Sequence, residues 1–514
     1  MTPSMISLLI AIVCSVPWVK GQFPKVCVNL ESLKNKTCCP KPNGYHEPCG
    51  SDGNRGECQE LRVRRWDGTY SHFQEFQRKD ERHNWPNALF NRTCKCKSNF
   101  AGYDCSKCEY GYYGYDCKKK KTLKRRNFAR WTKEEKDRFM SYINKTRYVD
   151  SEYVVTTSSY QQIQDQIASR GDPTGLFSNI TTFELFVWIH HFTVLKNVPP
   201  DDNMDAGSDF AHEGQGFLTW HRLFILTVER AIQEVTLDYN FAMPYWDWTS
   251  NKETCEICTE DLLGVAGENG TVKGKYLNDW HTICSEKETL QKTQICDLKH
   301  KKPFLKRLKD SDRKVHEDFP TRDEVNFALR FEQFDLPPYN RNSSCSFRNL
   351  LEGFVNTSTG YPTPNVHTLH NQVHYAIGGT MKSSFSSAND PIFFLHHSFV
   401  DRIFEKWLRK YNKDASILSS YGAPLGHNRR DIIVPLFPVY THEEVFKTSF
   451  ELGYDFEDVD GEGNSADDEI SSPASWGTCP AGSAVSRTEP SVTVRNNNTC
   501  KILVGVLAAF LLFC

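Results

Sequence analysis

The chain has 514 residues, with 62 Lys and Arg, 64 Asp and Glu, and a formal net charge of -2 at pH 7. This balance excludes a generally basic surface of the kind that binds nucleic acid, and the length allows one large domain with smaller modules. The 19 cysteines are many for a cytosolic protein. We therefore predict a protein of an oxidising, lumenal or extracellular compartment.

Residues 1–21 are predicted to be a secretory signal peptide. The apolar run from Ile6 to Val16 is too short for a membrane span, and cleavage is expected before Gln22. Eight Asn-x-Ser/Thr sequons agree with passage through the secretory pathway and predict N-glycans. These sequons begin at Asn35, Asn91, Asn144, Asn179, Asn269, Asn342, Asn356 and Asn497.

Residues 22–124 are predicted to form a Cys-rich module that resembles epidermal-growth-factor-like (EGF-like) domains. The segment CKCKSNFAGYDCSKCEYGYYGYDC has their spacing and their Gly and Tyr turns, and the ten cysteines of the module are an even number. The module has too little apolar sequence for a core of its own, so we expect disulfides of open pairing to hold it. The alternative is a zinc site made by Cys94, Cys96, Cys105 and Cys108. The basic run at residues 118–126 is interpreted as a solvated connector.

Residues 125–456 are predicted to form a mainly α domain, a four-helix bundle with a metal pair in its interior. Strand patterns are few and short. Cys255 with Cys258 and Cys284 with Cys296 are expected to form local disulfides, and Cys345 has no evident partner. The predicted helices are Lys133–Tyr142, Thr181–Val194, Leu218–Val235, Asn365–Ala376 and Pro391–Leu408.

Six histidines fall into two groups within these helical patterns. His370 and His374 are four residues apart and therefore share one helix face. A third imidazole from a neighbouring helix would complete a site with open coordination positions, and imidazole suits zinc, copper, iron and nickel. The first group is His190, His212 and His221, and the second is His370 and His374 with a third imidazole from the adjacent pair His396-His397.

With His397 taken as the third histidine of the second group, the remaining histidines are assigned to local packing, to hydrogen bonds with the metal-binding residues, or to surface and structural roles. Three of them adjoin the two groups, and the others belong to no cluster in the sequence. They are His191, His367 and His396, and then His46, His72, His83, His281, His300, His316, His427 and His442.

Several motifs around these histidines resemble the copper motifs of the tyrosinase family or their flanks. They are FVWIH, DFAHEGQGFLTWHR, PYWDW, FRNLLEGF, LHNQVH and NDPIFFLHHSFVDRIF, and the resemblance extends over residues 22–456. It implies that His190, His212 and His221 hold one copper ion and that His370, His374 and His397 hold another, with dioxygen as cosubstrate. It also implies ortho-hydroxylation of monophenols such as L-tyrosine and oxidation of o-diphenols such as L-DOPA to o-quinones. Melanin synthesis, in a melanosome membrane or at the cell surface, would follow.

The resemblance also implies two residues that handle a proton. A phenol has an ordinary pKa near 10 and needs a base, and Glu352 and Asn371 match the family's pair that orients a water. The competing interpretations are a helix-surface carboxylate and a helix cap. Asp401 is predicted either to accept a hydrogen bond from a metal-binding histidine or to form a surface ion pair. Tyr375 is bulkier than the family pattern at the pocket rim.

Three alternatives remain for the function. One is a zinc-containing tyrosinase-related protein resembling dopachrome tautomerase, and another is a hemocyanin-like oxygen binder. The third is an adhesion or matrix protein that acts through its Cys-rich module. The intact His396-His397 pair and Ser387 favour the oxidase.

The C-terminal region changes character. Residues 457–501 are interpreted as an acidic polar linker, and residues 502–514 as a hydrophobic tail. The tail is shorter than the roughly twenty residues that cross a bilayer. It resembles a glycolipid-anchor signal with Ser491 as the attachment point, and a truncated transmembrane segment is the alternative.

Overall fold

The computed structural model describes residues 21–61, 82, 85–156, 158, 160–196, 209–251, 253–284, 296, 303–312 and 318–457. Apart from Gly21 and Glu457, the predicted signal peptide, acidic linker and hydrophobic tail lie outside these residues. Among the described residues, no helix is both long enough and apolar enough to span a membrane. Also outside them lie Ser491, Asn497, His72, His83, His300 and His316.

The described part of the chain is mainly helical, as predicted. Its α-helices are α1 (Leu30–Lys34), α2 (Lys133–Thr146), α3 (Tyr160–Ala168), α4 (Thr182–Thr193), α5 (Phe217–Thr236), α6 (Arg322–Ala328), α7 (Phe347–Glu352), α8 (Leu369–Ile377), α9 (Ile392–Tyr411) and α10 (His442–Val445).

All five predicted helices are present, with shifted ends. The largest shifts are of four residues: α2 ends at Thr146 rather than Tyr142, and α8 begins at Leu369 rather than Asn365. Asn365 and Leu369 have positive φ values of 60° and 41°, and these left-handed conformations prevent a right-handed helix from extending back from Leu369 to Asn365. At α2 and α4, Thr132 and Thr181 accept hydrogen bonds from the backbone N–H three residues on and so fix the first turn.

Helices α4, α5 and α9 build the core around the histidines. The buried residues of α4 are all apolar, Thr or His, and they extend around most of the circumference of the helix. Helix α9 is buried from Ile392 to Ile403 without interruption. A helix buried on all sides places any polar side chain in a dry environment.

The strands are short and form small sheets. The strands are β1 (Gln22–Pro24), β2 (Thr37–Cys38), β3 (Gly56–Glu60), β4 (Arg92–Cys96), β5 (Phe100–Ala101), β6 (Lys107–Cys108), β7 (Tyr112–Tyr113), β8 (Lys119–Lys120), β9 (Leu123–Arg125), β10 (Asp150–Val155), β11 (Ser178–Thr181), β12 (Val265–Ala266), β13 (Val272–Lys273) and β14 (Tyr454–Phe456). One sheet has the order β1-β10-β11, another has the order β2-β4-β3, and β9 pairs in parallel with β14.

The ten cysteines of the N-terminal module are all paired, so the zinc alternative is wrong. The four cysteines named for that alternative belong to three different disulfides. The local disulfides Cys255–Cys258 and Cys284–Cys296 are confirmed, and Cys345 is also disulfide-bonded. The module's pairs are Cys27–Cys38, Cys39–Cys58, Cys49–Cys94, Cys96–Cys105 and Cys108–Cys117.

The basic run at residues 118–126 is not simply a solvated connector. Lys118 to Lys120 are exposed, but Arg125 is fully buried and forms ion pairs with Glu229 and Asp401. The expectation fails at Arg125 because both carboxylates come from helices far along the chain. This segment is therefore anchored to the helical core.

Candidate metal centre

The first histidine group comes together from two helices and a loop. His190 lies near the end of α4, His221 lies in the second turn of α5, and His212 lies in the loop between these helices. Their nitrogens lie within 4.8 Å of one another, and their side chains are buried or nearly so. The structure therefore brings together the three predicted residues.

Hydrogen bonds orient two of these rings. His221 Nδ1 donates to the backbone oxygen of Phe217 at 2.9 Å, which leaves Nε2 directed into the group. His212 Nδ1 lies 3.2 Å from a carboxylate oxygen of Asp209. The other oxygen of Asp209 accepts from the backbone N–H groups of Ala211 and His212. A second hydrogen bond of this kind fixes the tautomer and orientation of a metal-binding imidazole.

The second group contains four histidines rather than three. His370 and His374 come from α8, His396 and His397 come from α9, and their nitrogens also lie within 4.8 Å of one another. His374 Nδ1 donates to Met381 O at 2.8 Å, and the Nε2 atoms of His370 and His374 are 3.1 Å apart. The interpretation of His396 as a packing residue does not account for its place in this group.

The two groups face each other. The rings of His221 and His397 stack at a centroid distance of 4.1 Å with 7° between their planes. The rings of His212 and His370 are 6.3 Å apart. The predicted trios thus border a single buried space.

Burial keeps most of these imidazoles neutral. The pKa values of four imidazoles are held well below 6.5, mainly by loss of solvation and to a smaller extent by repulsion from neighbouring histidines. These are His190, His221, His370 and His397. For His374, burial lowers the pKa to about 4. A neutral imidazole offers a lone pair, which is the form that binds a metal.

His212 differs because of its carboxylate neighbour. Burial acts to lower its pKa, but the Asp209 carboxylate outweighs burial and raises the pKa above its ordinary value. The same carboxylate orients Nδ1 and supplies negative charge beside this ring. A cation bound by this group would be partly neutralised by Asp209.

The donor set fits a pair of soft or borderline metal ions. Among the described residues, neither ring nitrogen of His190 or of His397 has a hydrogen-bond partner, and the same is true of His221 Nε2. Buried polar atoms without partners are costly. Metal coordination would satisfy one nitrogen of each of these rings, and imidazole is the donor that suits copper and zinc.

Glu352 and Asn371 both lie beside His370. The backbone oxygen of Glu352 and Oδ1 of Asn371 accept from His370 Nδ1 at 3.1 and 3.0 Å. Glu352 is 0% exposed, so the helix-surface interpretation is wrong. Asn371 is the third residue of α8, whose N-cap is Thr368, so the cap interpretation is also wrong.

The Glu352 side chain is held by two donors in a dry environment. Its oxygens accept from the Glu213 backbone N–H at 2.5 Å and from Arg348 Nη1 at 2.8 Å. Burial raises the pKa of Glu352 to about 7, although Arg348 and His212 oppose the rise. The carboxyl group can therefore exchange a proton near neutral pH.

The predicted hydrogen bond from a metal-binding histidine to Asp401 does not form among the described residues. Asp401 accepts from Arg222 Nε at 2.5 Å, from Arg125 Nη1 at 3.1 Å and from the Tyr454 hydroxyl at 2.6 Å. The residue lies one turn beyond His397, on the part of α9 that faces these cations. Asp401 therefore forms ion pairs, as the alternative prediction had it, but these pairs are buried and not on the surface.

Sequence reasoning missed a positioning role for His427. Its Nε2 donates to the backbone oxygen of Asp209 at 2.6 Å, and its Nδ1 accepts from the Gly216 N–H at 3.2 Å. It therefore joins the loop that carries His212 to the start of α5. No local spacing signals this contact, because His427 lies more than two hundred residues after its partners.

Tyr375 lies beside the second group and is half-buried. Its ring stacks on His367 at a centroid distance of 3.9 Å, and Lys382 Nζ lies 4.9 Å from the ring centroid. His367 is thereby engaged outside the histidine groups, as expected. His191 Nδ1 donates to the backbone oxygen of Phe385 at 3.0 Å, and this ring also stays outside the histidine groups.

Comparisons with known proteins identify relatives of this chain. Residues 180–410 match the family model described as the common central domain of tyrosinase. The chain is 38% identical over 442 residues to "Tyrosinase" of Gallus gallus, covering 85% of this chain and 82% of that protein. It is 35% identical over 461 residues to "Tyrosinase" of Canis lupus familiaris, covering 88% and 85%. It is 34% identical over 451 residues to "5,6-dihydroxyindole-2-carboxylic acid oxidase" of Mus musculus, covering 85% and 83%.

Proposed function

The chain belongs to the tyrosinase family, and from this premise we propose how its residues carry out the family's reaction. The protein is a copper phenol oxidase. Its substrates are monophenols such as L-tyrosine, which it hydroxylates ortho to the hydroxyl group, and o-diphenols such as L-DOPA, which it oxidises to o-quinones. The o-quinones initiate melanin synthesis.

Each histidine group holds one copper ion. His190, His212 and His221 are the ligands of the first, and His370, His374 and His397 are the ligands of the second. Two bound copper ions supply the redox chemistry with dioxygen. The stacking of His221 on His397 at 4.1 Å is the observation that carries this proposal, because it brings the two trios to a single substrate.

Glu352 and Asn371 position the water that takes the phenol proton. The phenol has an ordinary pKa near 10, whereas burial gives Glu352 a pKa of about 7. At neutral pH a fraction of Glu352 is ionised and can accept the proton through that water. Arg348 and the backbone N–H of Glu213 hold the carboxylate in place while it changes charge.

Aromatic side chains exclude water from the centre. The Phe393 ring lies 4.2 Å from His397 and 4.8 Å from His190. The Phe217 ring lies 4.9 Å from both His221 and His370. Apolar walls lower the local dielectric constant and strengthen the interactions of the groups that move charge.

Metal analysis with turnover assays tests the proposal. We expect about two copper ions per chain, with turnover of both L-tyrosine and L-DOPA. His370→Ala should remove about one copper and both activities, whereas the matched control His367→Ala should keep them. The alternatives are not favoured. Bound zinc without oxidation of either substrate would replace the proposal with the zinc-containing tyrosinase-related protein. Reversible oxygen binding without turnover would replace it with the hemocyanin-like oxygen binder.

The second ligand set is tested separately because four histidines compete for it. His397→Ala is expected to lower the copper content by about one ion per chain. His396→Ala is expected to retain both ions. The reverse result would assign the ligand to His396.

We also propose the finer organisation of the chain. Residues 22–124 are an EGF-like module and residues 125–456 are the copper domain, in which α4, α5, α8 and α9 form a four-helix bundle. Residues 457–501 link this domain to the hydrophobic tail of residues 502–514. Among the sequon asparagines that the structure describes, five are exposed and available for N-glycans: Asn35, Asn91, Asn179, Asn269 and Asn342.

The tail attaches the protein to the lumenal face of a melanosome membrane or to the cell surface. We propose a glycolipid anchor at Ser491, with a truncated transmembrane segment as the alternative. Treatment of intact membranes with a phosphatidylinositol-specific phospholipase should release the enzyme. Retention after treatment would favour the transmembrane form.

A further inference from the structure

An arginine of the Cys-rich module reaches the end of helix α4. The guanidinium of Arg82 donates to the backbone oxygens of Phe192 and Leu195 at 3.0 and 2.6 Å. It also donates to the backbone oxygens of Thr193 and Lys196, at the longer distances of 3.4 and 3.3 Å. Helix α4 ends at Thr193, so these four oxygens lie in its last turn and just beyond it.

These hydrogen bonds satisfy carbonyl groups at the helix end. Carbonyl groups in the last turn of an α-helix lack partners within the helix, and a positive charge there also interacts favourably with the helix dipole. A guanidinium presents five N–H donors in a rigid plane, so one side chain can hold several carbonyl groups. Arg82 is 6% exposed, and water therefore competes little for these bonds. Arg82 fixes the end of α4 about one turn after His190.

The same guanidinium packs against the loop that carries His212. Its Cζ lies 4.8 Å from the centroid of the Phe210 ring, and Phe210 lies two residues before His212. The Phe210 side chain is buried in an apolar cluster that includes Phe23 and Trp85 of the Cys-rich module. The backbone N–H of Phe210 donates to Thr193 O at 3.3 Å. The end of α4 and this loop therefore meet at one guanidinium.

Arg82 is also held from the side of the module. The backbone N–H of Trp85 donates to the backbone oxygen of Arg82 at 3.1 Å. The Trp85 ring is buried and lies 5.1 Å from the ring of Phe23. A contact that is fixed at both ends can transmit the position of the module to α4 and to the loop.

We propose that Arg82 is a positioning residue for the first histidine group, an inference that rests on the proposed copper-binding role of His190, His212 and His221. By binding the end of α4 and supporting the loop beside it, Arg82 sets the separation of His190 and His212. Loss of a residue that orients a metal ligand typically lowers metal affinity by about 10–100-fold. The second group lies on α8 and α9, to which Arg82 makes none of these bonds, so its metal ion should be held as before.

Release of copper from the loaded protein into excess EDTA at pH 7 tests the inference. Because a weakened site loses its metal faster, Arg82→Gln should release one of its two copper ions at least tenfold faster than the wild type. The other ion should leave at the wild-type rate. Acceleration of both ions to the same extent, or of neither, would overturn the proposal.

A second background identifies the ion that leaves early. His190→Ala removes a ligand of the first group and should retain only the copper of the second group. In this background, Arg82→Gln should leave the rate of copper release unchanged. Faster release there would show that Arg82 does not act on the first group alone, and it would overturn the proposal.

Arg55→Gln is the matched control. Arg55 is another buried arginine of the Cys-rich module, but it donates to groups within the module, among them the Tyr45 hydroxyl and the backbone oxygen of Tyr115. Release of both copper ions should therefore keep the wild-type rate. Acceleration equal to that in Arg82→Gln would show that any weakening of the module affects the metal centre, which would contradict a positioning role for Arg82.

Phe210→Leu tests the contact with the loop without altering a charge. Loss of the ring under the guanidinium removes a cation–π contact and should accelerate release of the first copper ion about threefold or more. If thermal unfolding shows that Arg82→Gln does not fold, this variant still decides the question, and unchanged release in it would refute the inference. A wild-type protein that retains no copper would instead overturn the proposed function, on which the inference rests.

Discussion

Replacement of Asp401 by Asn distinguishes a structural ion pair from a role in orienting a metal ligand. Asp401 accepts hydrogen bonds from Arg222, Arg125 and Tyr454 at 2.5, 3.1 and 2.6 Å. Asp401 and both arginines are buried. Removing one partner of a buried ion pair typically costs about 3–5 kcal/mol. Glu229 and Glu405 still pair with Arg125 and Arg222, so the loss here lies near the lower end of this range, at about 3 kcal/mol. We expect Asp401→Asn to lower the free energy of unfolding by about this amount.

Urea unfolding monitored by tryptophan fluorescence measures the loss. The control is Glu332→Gln, which removes a surface ion pair with Lys413 and should cost at most about 1 kcal/mol. Copper content is measured in parallel on the folded variants. The reasoning is refuted if Asp401→Asn loses no more stability than Glu332→Gln, or if it loses copper while its stability is unchanged.

Three further predictions concern the base, the buried histidines and a disulfide. Glu352→Gln should lower kcat/KM for L-tyrosine by about 100-fold or more at unchanged copper content, and activity near the wild-type value would exclude Glu352 as the base. Burial lowers the pKa of His427 to about 4 and of His442 to about 3. Their stabilisation is therefore complete above pH 6.5 and is lost as the pH falls toward these values. Between pH 7 and pH 5, each of these histidines should lower the free energy of unfolding by about 2 kcal/mol. His442→Asn should therefore reduce the acid-induced loss of unfolding free energy by that amount. An unchanged loss would contradict the lowered pKa of His442. Replacing Cys49 and Cys94 by Ala opens a loop of 45 residues and should cost about 4 kcal/mol of unfolding free energy, measured by urea unfolding without reductant.

The local part of the candidate site could be read from the sequence because helix geometry is local. His370 and His374 had to share a face once their segment was helical, and His221 had to be buried once its helix was apolar. The motif resemblance then supplied His212 and Glu352, which no periodicity marks. The structure places these residues together.

Two contacts that the sequence did not predict join residues far apart along the chain. Asp401 binds Arg125 from 276 positions away, and His427 reaches Asp209 from 218 positions away. Spacing along the chain carries no information about such partners. The place of His396 could not be predicted for a different reason. Adjacent residues on a helix point about 100° apart, and the sequence does not show that both His396 and His397 face the other histidines.

The parallel pairing of β14 with β9 joins the end of the helical domain to the segment that precedes it. Tyr454, in β14, completes the set of donors to Asp401, while Arg125 enters the same cluster from β9. During synthesis on the ribosome, this cluster must wait until nearly the whole domain has emerged. A chain shortened before Tyr454 would therefore leave its charged interior incomplete and become a target for retention by folding quality control, even with all six proposed copper ligands present.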